Sequence, residues 1–202
     1  MNIITISRNN PEIDAIKNAA AIIKNGGVVV YPSDTSYGLA CDPTNPEALR
    51  KLCKIKSRDL GKPVSYNFGS IEGIGKFCEL TSEQINILRD NLPGPFTFLL
   101  TPKPGIFEAG EKIGVRLPDS PVVSALSLAL GGPFTATSAN LAGEPACYSP
   151  EAIIKTFVGA PVQPDLLLDA GPLPPIPAST VVDLTVTPPQ TIRLGARTPI
   201  LK

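Results

Sequence analysis

The sequence contains no histidine and no tryptophan, and aromatic residues amount to only 5% of the chain. The absence of histidine excludes a Ser-His-Asp or Cys-His nucleophilic site, because both depend on an imidazole base. It also removes the nitrogen ligand that most zinc sites use. The scarcity of aromatic side chains counts against a single-stranded RNA-binding module, in which bases stack on aromatic rings.

The sequence also lacks a net charge and long apolar runs. The 18 basic and 18 acidic residues cancel, which favours neither a nucleic-acid coat nor a membrane-surface protein. No apolar run approaches the roughly 18 residues that a membrane-spanning helix needs. The first residues, MNIITISRNNPE, lack the pattern of a signal peptide. We therefore expect a cytoplasmic protein that makes no contact with membranes.

The cysteines show neither C-x-x-C pairing nor zinc-ligand spacing. They are Cys41, Cys53, Cys78 and Cys147. We interpret them as small core residues of a protein in a reducing compartment. Any metal is expected to be a hard cation, Mg²⁺, that arrives with phosphate groups.

Proline is abundant, at 23 of 202 residues, which is typical of short elements joined by defined turns. Asn10 and Asn45 each precede Pro-Glu, a pattern that predicts a helix N-cap followed by proline at the first helical position. Thr81 and Gln84 have the spacing of a capping box. The apolar face of the first helix is predicted to comprise Ile13, Ile16, Ala20 and Ile23.

The order of the remaining elements predicts the fold class. Strand-like runs lie at 28–31, 96–100, 113–117, 134–138, 166–170, 179–184 and 190–194. Helical patterns cover 121–130 and 150–157, and the proline-rich segment 171–178 is expected to form an ordered loop or a lid. We predict an α/β protein with a single domain over residues 1–202, in which helices flank a large twisted sheet of mixed strand direction.

Residues 50–62 form a local basic patch, with six basic residues against one acid. The patch could bind a small anionic ligand or be a solvated helix face. Lys56 continues the apolar stripe of the helix and points toward the domain body, where an unpaired charge is costly. It either meets an anionic partner there or extends along the edge of the core into solvent.

Two strand ends carry small polar residues. The segment 135–140, TATSAN, would let a ligand approach the backbone amides, although it could also be an ordinary strand-to-loop transition. Ser179, Thr180 and Arg193 are placed in the same manner. Neither a P-loop nor a G-x-G-x-x-G segment occurs. These features indicate an α/β pocket that positions oxyanions, as phosphoryl or nucleotidyl transfer requires.

Six ordered blocks carry a family resemblance: YPSDTSYGLACD, KSRDLGKP, LPGPFTFLL, IGVRLP, TSAN and STVVDLT…TIRLG. Together they span about residues 14–195 and resemble the Sua5/YrdC/TsaC family, whose members are threonylcarbamoyl-AMP synthases. The K-x-R and S-x-N motifs are the distinctive part, and both are intact. The resemblance implies a YrdC-like fold with a positively charged concave pocket.

The resemblance also implies a reaction and its partners. L-threonine, bicarbonate and ATP would give threonylcarbamoyl-AMP and pyrophosphate, with Mg²⁺ carried on the ATP phosphates. A transferase complex would then pass the threonylcarbamoyl group to adenosine 37 of tRNAs reading ANN codons. The implied nucleic-acid partner is tRNA or double-stranded RNA.

Matching the motifs residue by residue implies a set of site residues. The resemblance makes Lys56 and Arg58 the catalytic pair. The implied ATP contacts are Arg58, Lys62, Lys112, Ser138, Asn140 and Arg193. The implied threonine contacts are Thr35, Asn67, Arg116, Ala136 (through its backbone) and Ser179. Asn67 stands where many longer relatives carry a histidine.

Two other functions stay open. The first is a paralogue of the same fold, similar to YciO, that binds nucleotide or RNA with little or no synthase activity, and the closing ARTPILK resembles that group. The second is an RNA-binding module that uses the patch at 50–62. The zero net charge and the few aromatic residues disfavour it.

Overall fold

The described residues of the computed structural model, 1–59, 64–107 and 111–202, form a ten-stranded mixed sheet with six helices packed against it. The strands are β1 (Asn2–Thr5), β2 (Val29–Pro32), β3 (Tyr37–Ala40), β4 (Ser65–Asn67), β5 (Phe96–Leu100), β6 (Ile113–Arg116), β7 (Phe134–Ser138), β8 (Leu166–Asp169), β9 (Thr180–Asp183) and β10 (Gln190–Arg193). Their order in the sheet is β1-β8-β2-β3-β7-β4-β6-β5-β9-β10. The sheet contains parallel pairs such as β4–β6 and antiparallel pairs such as β3–β7, which confirms the predicted mixed sheet.

The helices lie on both faces of this sheet. They are α1 (Ile13–Lys24), α2 (Pro46–Lys56), α3 (Ile71–Phe77), α4 (Ser82–Asn91), α5 (Pro121–Leu130) and α6 (Pro150–Phe157). In the described part of the chain, none of them is long and apolar enough to cross a bilayer. The predicted boundaries of α5 and α6 are confirmed, as is the capping box of α4.

Three apolar clusters make up the core, and strand β2 takes part in two of them. Val29 and Tyr31 pack with α1 and α5 on one face, whereas Val28 and Val30 pack with α2 and α6 on the other. This alternation explains why the run reads as continuously apolar. A third cluster places α3 and α4 against β4, β5 and β6. All four cysteines are free and buried, as predicted.

The K-x-R motif lies at the C-terminal end of helix α2, which packs against the sheet. The Asn45 side chain caps it by accepting from the backbone N–H groups of Glu47 (3.0 Å) and Ala48 (3.2 Å), as the sequence predicts. The helix ends at Ser57, whose φ of 51° is left-handed. Lys56 is therefore the last helical residue, and Arg58 follows the reversal of the chain.

The predicted start of α1 is wrong. Its N-cap is Glu12 instead of Asn10, and the Glu12 carboxylate accepts from the Ser7 backbone N–H (2.9 Å). The Asn10 N–H bonds to the Ser7 hydroxyl (3.1 Å), so these residues close a turn of their own before the helix begins. Ile13 consequently lies at the edge of the helix and is 70% exposed, not buried as predicted.

The proline-rich segment 171–178 is a loop with no helix or strand over 171–178. Leu173 is buried, and its N–H donates to the Tyr148 carbonyl (2.7 Å). The Tyr37 hydroxyl donates to the Gly171 carbonyl (2.8 Å). Both tyrosines thus anchor the loop beside the sheet.

Candidate functional site

A cavity of about 410 Å³ lies where β2, β3 and β7 meet β5, β6 and β9. This volume is within the range of small-molecule sites. The strand ends and the loops that follow them supply most of its walls. The predicted site residues that line it are Thr35, Arg58, Arg116, Ala136, Ser138, Ser179 and Arg193. Residues far apart in the sequence thus share one cavity.

The charged side chains among the described residues that line the cavity are all basic. Arg58, Arg116 and Arg193 line it, and none of the described lining residues is a carboxylate. A guanidinium presents a planar fork of donors that matches carboxylate and phosphate oxygens. The lining therefore has the composition of a site for anionic ligands.

The hydroxyl-rich stretch after β2 is a turn that presents one threonine. The Ser33 hydroxyl donates to the Ser36 carbonyl (2.7 Å) and accepts from the Thr35 backbone N–H (3.2 Å). Ser33 and Ser36 thus hold the turn together. The Thr35 hydroxyl lies 3.5 Å from Arg116 Nη2 at the cavity wall.

Arg116 at the end of β6 forms a buried ion pair that the sequence did not indicate. Its Nη2 donates to Asp34 Oδ1 at 3.0 Å, and the two side chains are only 13% and 9% exposed. Burial raises the pKa of the Asp34 carboxyl, while the neighbouring Arg116 opposes that rise. We refer to Asp34, Thr35, Asn67 and Arg116 as the arginine cluster.

Asn67 lies behind the cavity wall. It pairs with Arg116 in the parallel register of β4 and β6, and its side-chain amide donates to the Tyr31 hydroxyl (2.6 Å). Tyr31 itself lines the cavity, and burial raises the pKa of its hydroxyl to about 12. In this arrangement Asn67 would act on a ligand through Tyr31.

Lys56 also lies behind the wall. Its side chain is buried, and Nζ donates to the carbonyls of Ser138 (2.5 Å) and Asn140 (3.0 Å) and to Asn140 Oδ1 (3.2 Å). All three acceptors are uncharged. Burial first, and then the nearby Arg58, lower the pKa of the Lys56 ammonium to about 8. We refer to Lys56, Ser138 and Asn140 as the lysine cluster.

Within the lysine cluster, the serine and the asparagine of the S-x-N motif differ in position and in hydrogen bonding. The Ser138 hydroxyl donates to Asn140 Oδ1 (2.5 Å), and the Asn140 amide donates to the Glu144 carbonyl (2.5 Å). Ser138 lines the cavity, and Asn140 is buried beneath it. Lys56 thus binds the motif from the core side and fixes the loop that presents Ser138.

Ser179 and Arg193 form a third contact set at the cavity. Arg193 donates to the Ser179 carbonyl from Nη2 (2.8 Å) and from Nε (3.2 Å). The Ser179 hydroxyl is 2.8 Å from the hydroxyl of Thr97, which also lines the cavity. Thr97 was missed because its strand, FTFLL, reads as pure core. Only its pairing with β9 brings it beside Ser179.

One predicted ATP contact, Lys112, lies apart from this arrangement. Lys112 pairs with Asp183 (2.8 Å) and is not among the described residues that line the cavity. Lys62 lies outside the described residues. Within the described ranges, no group of three histidine, cysteine or acidic residues is arranged to hold a metal ion. Other lining residues that the sequence did not indicate are Tyr31, Ser65 and Tyr148.

Comparison with known proteins places this arrangement in a family. The Sua5/YciO/YrdC family model, described as "Telomere recombination", matches residues 21–195. The "Uncharacterized protein YciO" of Escherichia coli K12 is 31% identical over 195 residues, which are 94% of this chain and 93% of the relative.

Solved structures share the fold. The crystal structure of E. coli YciO superposes with a TM-score of 0.88 at 29% identity, covering 98% of both chains. P. abyssi Sua5 complexed with L-threonine gives a TM-score of 0.88 at 26% identity, over 96% of this chain and 58% of that one. Full-length HypF in its phosphate- and nucleotide-bound form gives 0.74 at 25% identity, over 88% of this chain and 28% of HypF. Since its family model covers most of the sequence, the chain belongs to the Sua5/YciO/YrdC family.

Proposed function

We propose that the protein is an L-threonylcarbamoyl-AMP synthase, which joins L-threonine, bicarbonate and ATP and releases pyrophosphate. The observation that carries the proposal is the single cavity, in which Arg58, Arg116 and Arg193 gather with no carboxylate among the described lining residues. The similarity to a Sua5 complexed with L-threonine and to a nucleotide-bound HypF supports it. The product would serve a transferase that modifies adenosine 37 of tRNAs reading ANN codons.

In this proposal the arginine cluster binds threonine. Arg116 offers its guanidinium to the amino-acid carboxylate, and the Thr35 hydroxyl lies beside it. Ser179, held by Thr97 and Arg193, would contact the same substrate. The amino group, after losing a proton to solvent, would then attack the carbon of bicarbonate within the cavity, and a C–O bond would break to release water and leave the carbamate.

The other side of the cavity binds ATP. Arg58 and Arg193 neutralise phosphate charge, and Ser138 contributes its hydroxyl and the backbone of its loop. Mg²⁺ enters as part of the ATP substrate. The carbamate oxygen attacks the α-phosphate, and the bond to pyrophosphate breaks. Because the substrate supplies the nucleophile, the protein needs no histidine and contributes chiefly orientation and charge neutralisation.

The test is threonine-dependent release of pyrophosphate from ATP in the presence of bicarbonate and Mg²⁺. We expect release by the wild type, and we expect Arg58→Ala to lower the rate by about tenfold or more, since a phosphate-binding charge is lost. Arg50→Ala is the matched control, because Arg50 lies on α2 and its side chain is 46% exposed beside Glu47. Absence of threonine-dependent release would refute the synthase function.

A second candidate function is that of a YciO-like paralogue, which binds nucleotide or RNA and makes little or no product. The observation in its favour is the match to E. coli YciO over nearly the whole of both chains. ATP binding in calorimetry without pyrophosphate release, or retention of tRNA without turnover, would favour this paralogue over the synthase.

A further inference from the structure

Arg193 lines the cavity although its strand lies at the edge of the sheet. In the described part of the chain β10 pairs with β9 alone, and all four of its residues are exposed. The register of the two strands shifts between Thr191 and Arg193. An edge strand with an irregular register constrains a side chain less than a central strand does, because it has no second neighbour. The orientation of Arg193 therefore depends on contacts outside this pairing.

One backbone carbonyl holds the Arg193 guanidinium. Nη2 and Nε both donate to the Ser179 carbonyl, at 2.8 and 3.2 Å. Nη1 has no hydrogen-bond partner among the described residues, so it keeps the capacity to donate to a ligand. Since the Ser179 peptide sets the place of the guanidinium, whatever fixes this peptide also fixes Arg193.

The segment that follows β10, residues 195–201, packs against the Ser179 peptide, and we refer to it as the C-terminal strap. A Cβ atom on Gly195 would lie only 2.6 Å from the Ser179 carbonyl carbon, a distance that no side chain tolerates. The Ala196 N–H donates to the Ala178 carbonyl (3.1 Å). The strap thus lies directly against the backbone that carries Ser179.

Thr180 fastens the strap on the face of β9 that is turned away from the cavity. Ser179 and Val181 line the cavity, whereas Thr180 is fully buried and is not among the described lining residues. Its hydroxyl accepts from the Gly195 N–H (2.9 Å) and donates to the Arg197 carbonyl (2.5 Å). Because successive side chains of a strand point to opposite faces, Thr180 holds the strap without facing a ligand in the cavity.

Asn91, the last residue of α4, fastens the other end of the strap. Its Oδ1 accepts from the Ile200 N–H (2.8 Å), and its amide donates to the carbonyls of Ile200 (2.8 Å) and Ile87 (2.7 Å). Asn91 is buried, and Leu201 packs against the apolar cluster that contains α3 and α4. A buried amide is costly unless it is hydrogen-bonded, so these three bonds make Asn91 a fixed attachment point.

We propose that Asn91 and Thr180 are positioning residues, which fix Arg193 at the cavity through the C-terminal strap. Without their bonds the strap would loosen and the Ser179 peptide would gain freedom. The Arg193 guanidinium would then lose the orientation in which it donates to a phosphate oxygen. The inference rests on the proposed function for the identity of the ligand, ATP.

The experiment is calorimetric titration of the full chain with ATP and Mg²⁺, without threonine. We expect Arg193→Ala to weaken ATP binding by about tenfold or more, since a charge-assisted hydrogen bond is lost. Asn91→Ala keeps the charge but loosens its support, so we expect a loss of about threefold or more. In the double variant Asn91→Ala should add nothing to the effect of Arg193→Ala, because it acts through that residue. Unchanged affinity in Asn91→Ala, or additive losses in the double variant, would overturn the proposal.

Gln84→Ala is the matched control for a general loss of stability. Gln84 lies on the same helix, and its amide also donates to a distant backbone carbonyl, that of Leu184 (2.7 Å). None of its hydrogen bonds within the described residues goes to the strap. We expect Gln84→Ala to lose stability in urea as Asn91→Ala does but to bind ATP as the wild type does. Equal weakening of ATP binding in both variants would contradict the proposal.

Thr180→Val tests the same strap at its other attachment and serves if Asn91→Ala does not fold. It keeps the shape of the side chain and removes the hydroxyl that bonds to Gly195 and Arg197. We expect it to weaken ATP binding by about threefold or more, again with no further effect in the Arg193→Ala background. Wild-type affinity in a folded Thr180→Val would count against the proposal.

These titrations separate the inference from the proposed function. Weaker ATP binding in Asn91→Ala, together with no threonine-dependent pyrophosphate release by the wild type, would support the role of the strap and refute the synthase. Pyrophosphate release by the wild type, with unchanged ATP affinity in Asn91→Ala and Thr180→Val, would do the reverse. A wild type that does not bind ATP would refute both.

Discussion

The arginine cluster and the lysine cluster each bury a cation at the same cavity, but they stabilise it by opposite means. Arg116 has a counter-ion, Asp34, and an unused donor, Nε. Lys56 has three hydrogen bonds to uncharged oxygens, which leave no donor for a ligand. Because Arg116 lines the cavity and Lys56 is not among the described lining residues, we infer that the arginine cluster faces the ligand and that the lysine cluster supports the S-x-N loop.

The difference extends to protonation. Desolvation lowers the pKa of Lys56 to about 8, because carbonyl dipoles offset burial less well than an opposite charge does. At the other cluster it is the carboxyl partner, Asp34, whose pKa burial raises. A rise of pH through about 8 should thus remove a proton from Lys56 and affect the support of the S-x-N loop.

Removing the guanidinium should have the largest effect. Arg116→Met leaves the Asp34 carboxylate buried without a counter-ion, which we expect to lower the free energy of unfolding by about 3–5 kcal/mol at neutral pH. Urea denaturation measures this loss. The double variant Asp34→Asn/Arg116→Met is the control and should recover much of the stability. A loss below about 1 kcal/mol in the single variant would show that the pair is not effectively buried.

Removing the ammonium should cost less. Lys56→Met keeps the apolar stem but removes the Lys56 donor from the Asn140 carbonyl and one of two donors from the Ser138 carbonyl and from Asn140 Oδ1. We therefore expect a loss of about 1–3 kcal/mol in unfolding free energy. We also expect the synthase rate to fall by about tenfold, because Ser138 is no longer held in place. The affinity for threonine should stay near that of the wild type. Equal losses of threonine affinity and rate would argue against a supporting role.

The pH dependence of stability sharpens the same contrast. Since the folded pKa of Lys56, about 8, lies below its ordinary value of 10.5, the unfolded chain binds more protons between these limits. The penalty for burying the ammonium is thus full below pH 8 and is relieved as the pH rises above it. Other groups titrate in this range, so the wild type is compared with Lys56→Met. The stability difference in favour of the wild type should grow from pH 7 to pH 10, and a constant difference would contradict the lowered pKa.

An exposed cation should matter least. Arg50 forms an ion pair with Glu47 on the surface of α2, with side chains 46% and 80% exposed. We expect Arg50→Ala to change the free energy of unfolding by no more than about 0.5–1 kcal/mol, since solvent screens such pairs. A loss of stability as large as that of Lys56→Met would mean that burial does not decide how much a cation contributes to the free energy of unfolding.

Local patterns predicted much of the fold. The bounds of α5 and α6 and the Asn45 cap follow from capping residues and apolar periodicity. The short strands β3 and β4 were not predicted from local patterns. Each pairs with β7, whose residues lie about 70 to 100 positions away in the sequence. The start of α1 was predicted two residues too early, since Asn10 was taken as its N-cap. In the structure Glu12 is the N-cap, and its carboxylate accepts from the Ser7 backbone N–H.

The site shows the same division. Motifs indicated Thr35, Arg116 and Ser138, and all three line the cavity. Asp34 stands in the same block as Thr35, but its role depends on an ion pair with a strand 82 positions away. Lys56 was correctly predicted to point inward. Two of its three acceptors were not predicted, since they are backbone carbonyls, which any residue type carries.

The most direct test of this division of labour is a crystal structure with L-threonine and a non-hydrolysable ATP analogue bound. The account predicts that Arg116 contacts the threonine carboxylate, while Lys56 Nζ keeps its bonds to the Ser138 and Asn140 carbonyls. A structure in which Lys56 Nζ leaves those carbonyls to contact a phosphate, with Arg116 remote from the amino acid, would contradict it.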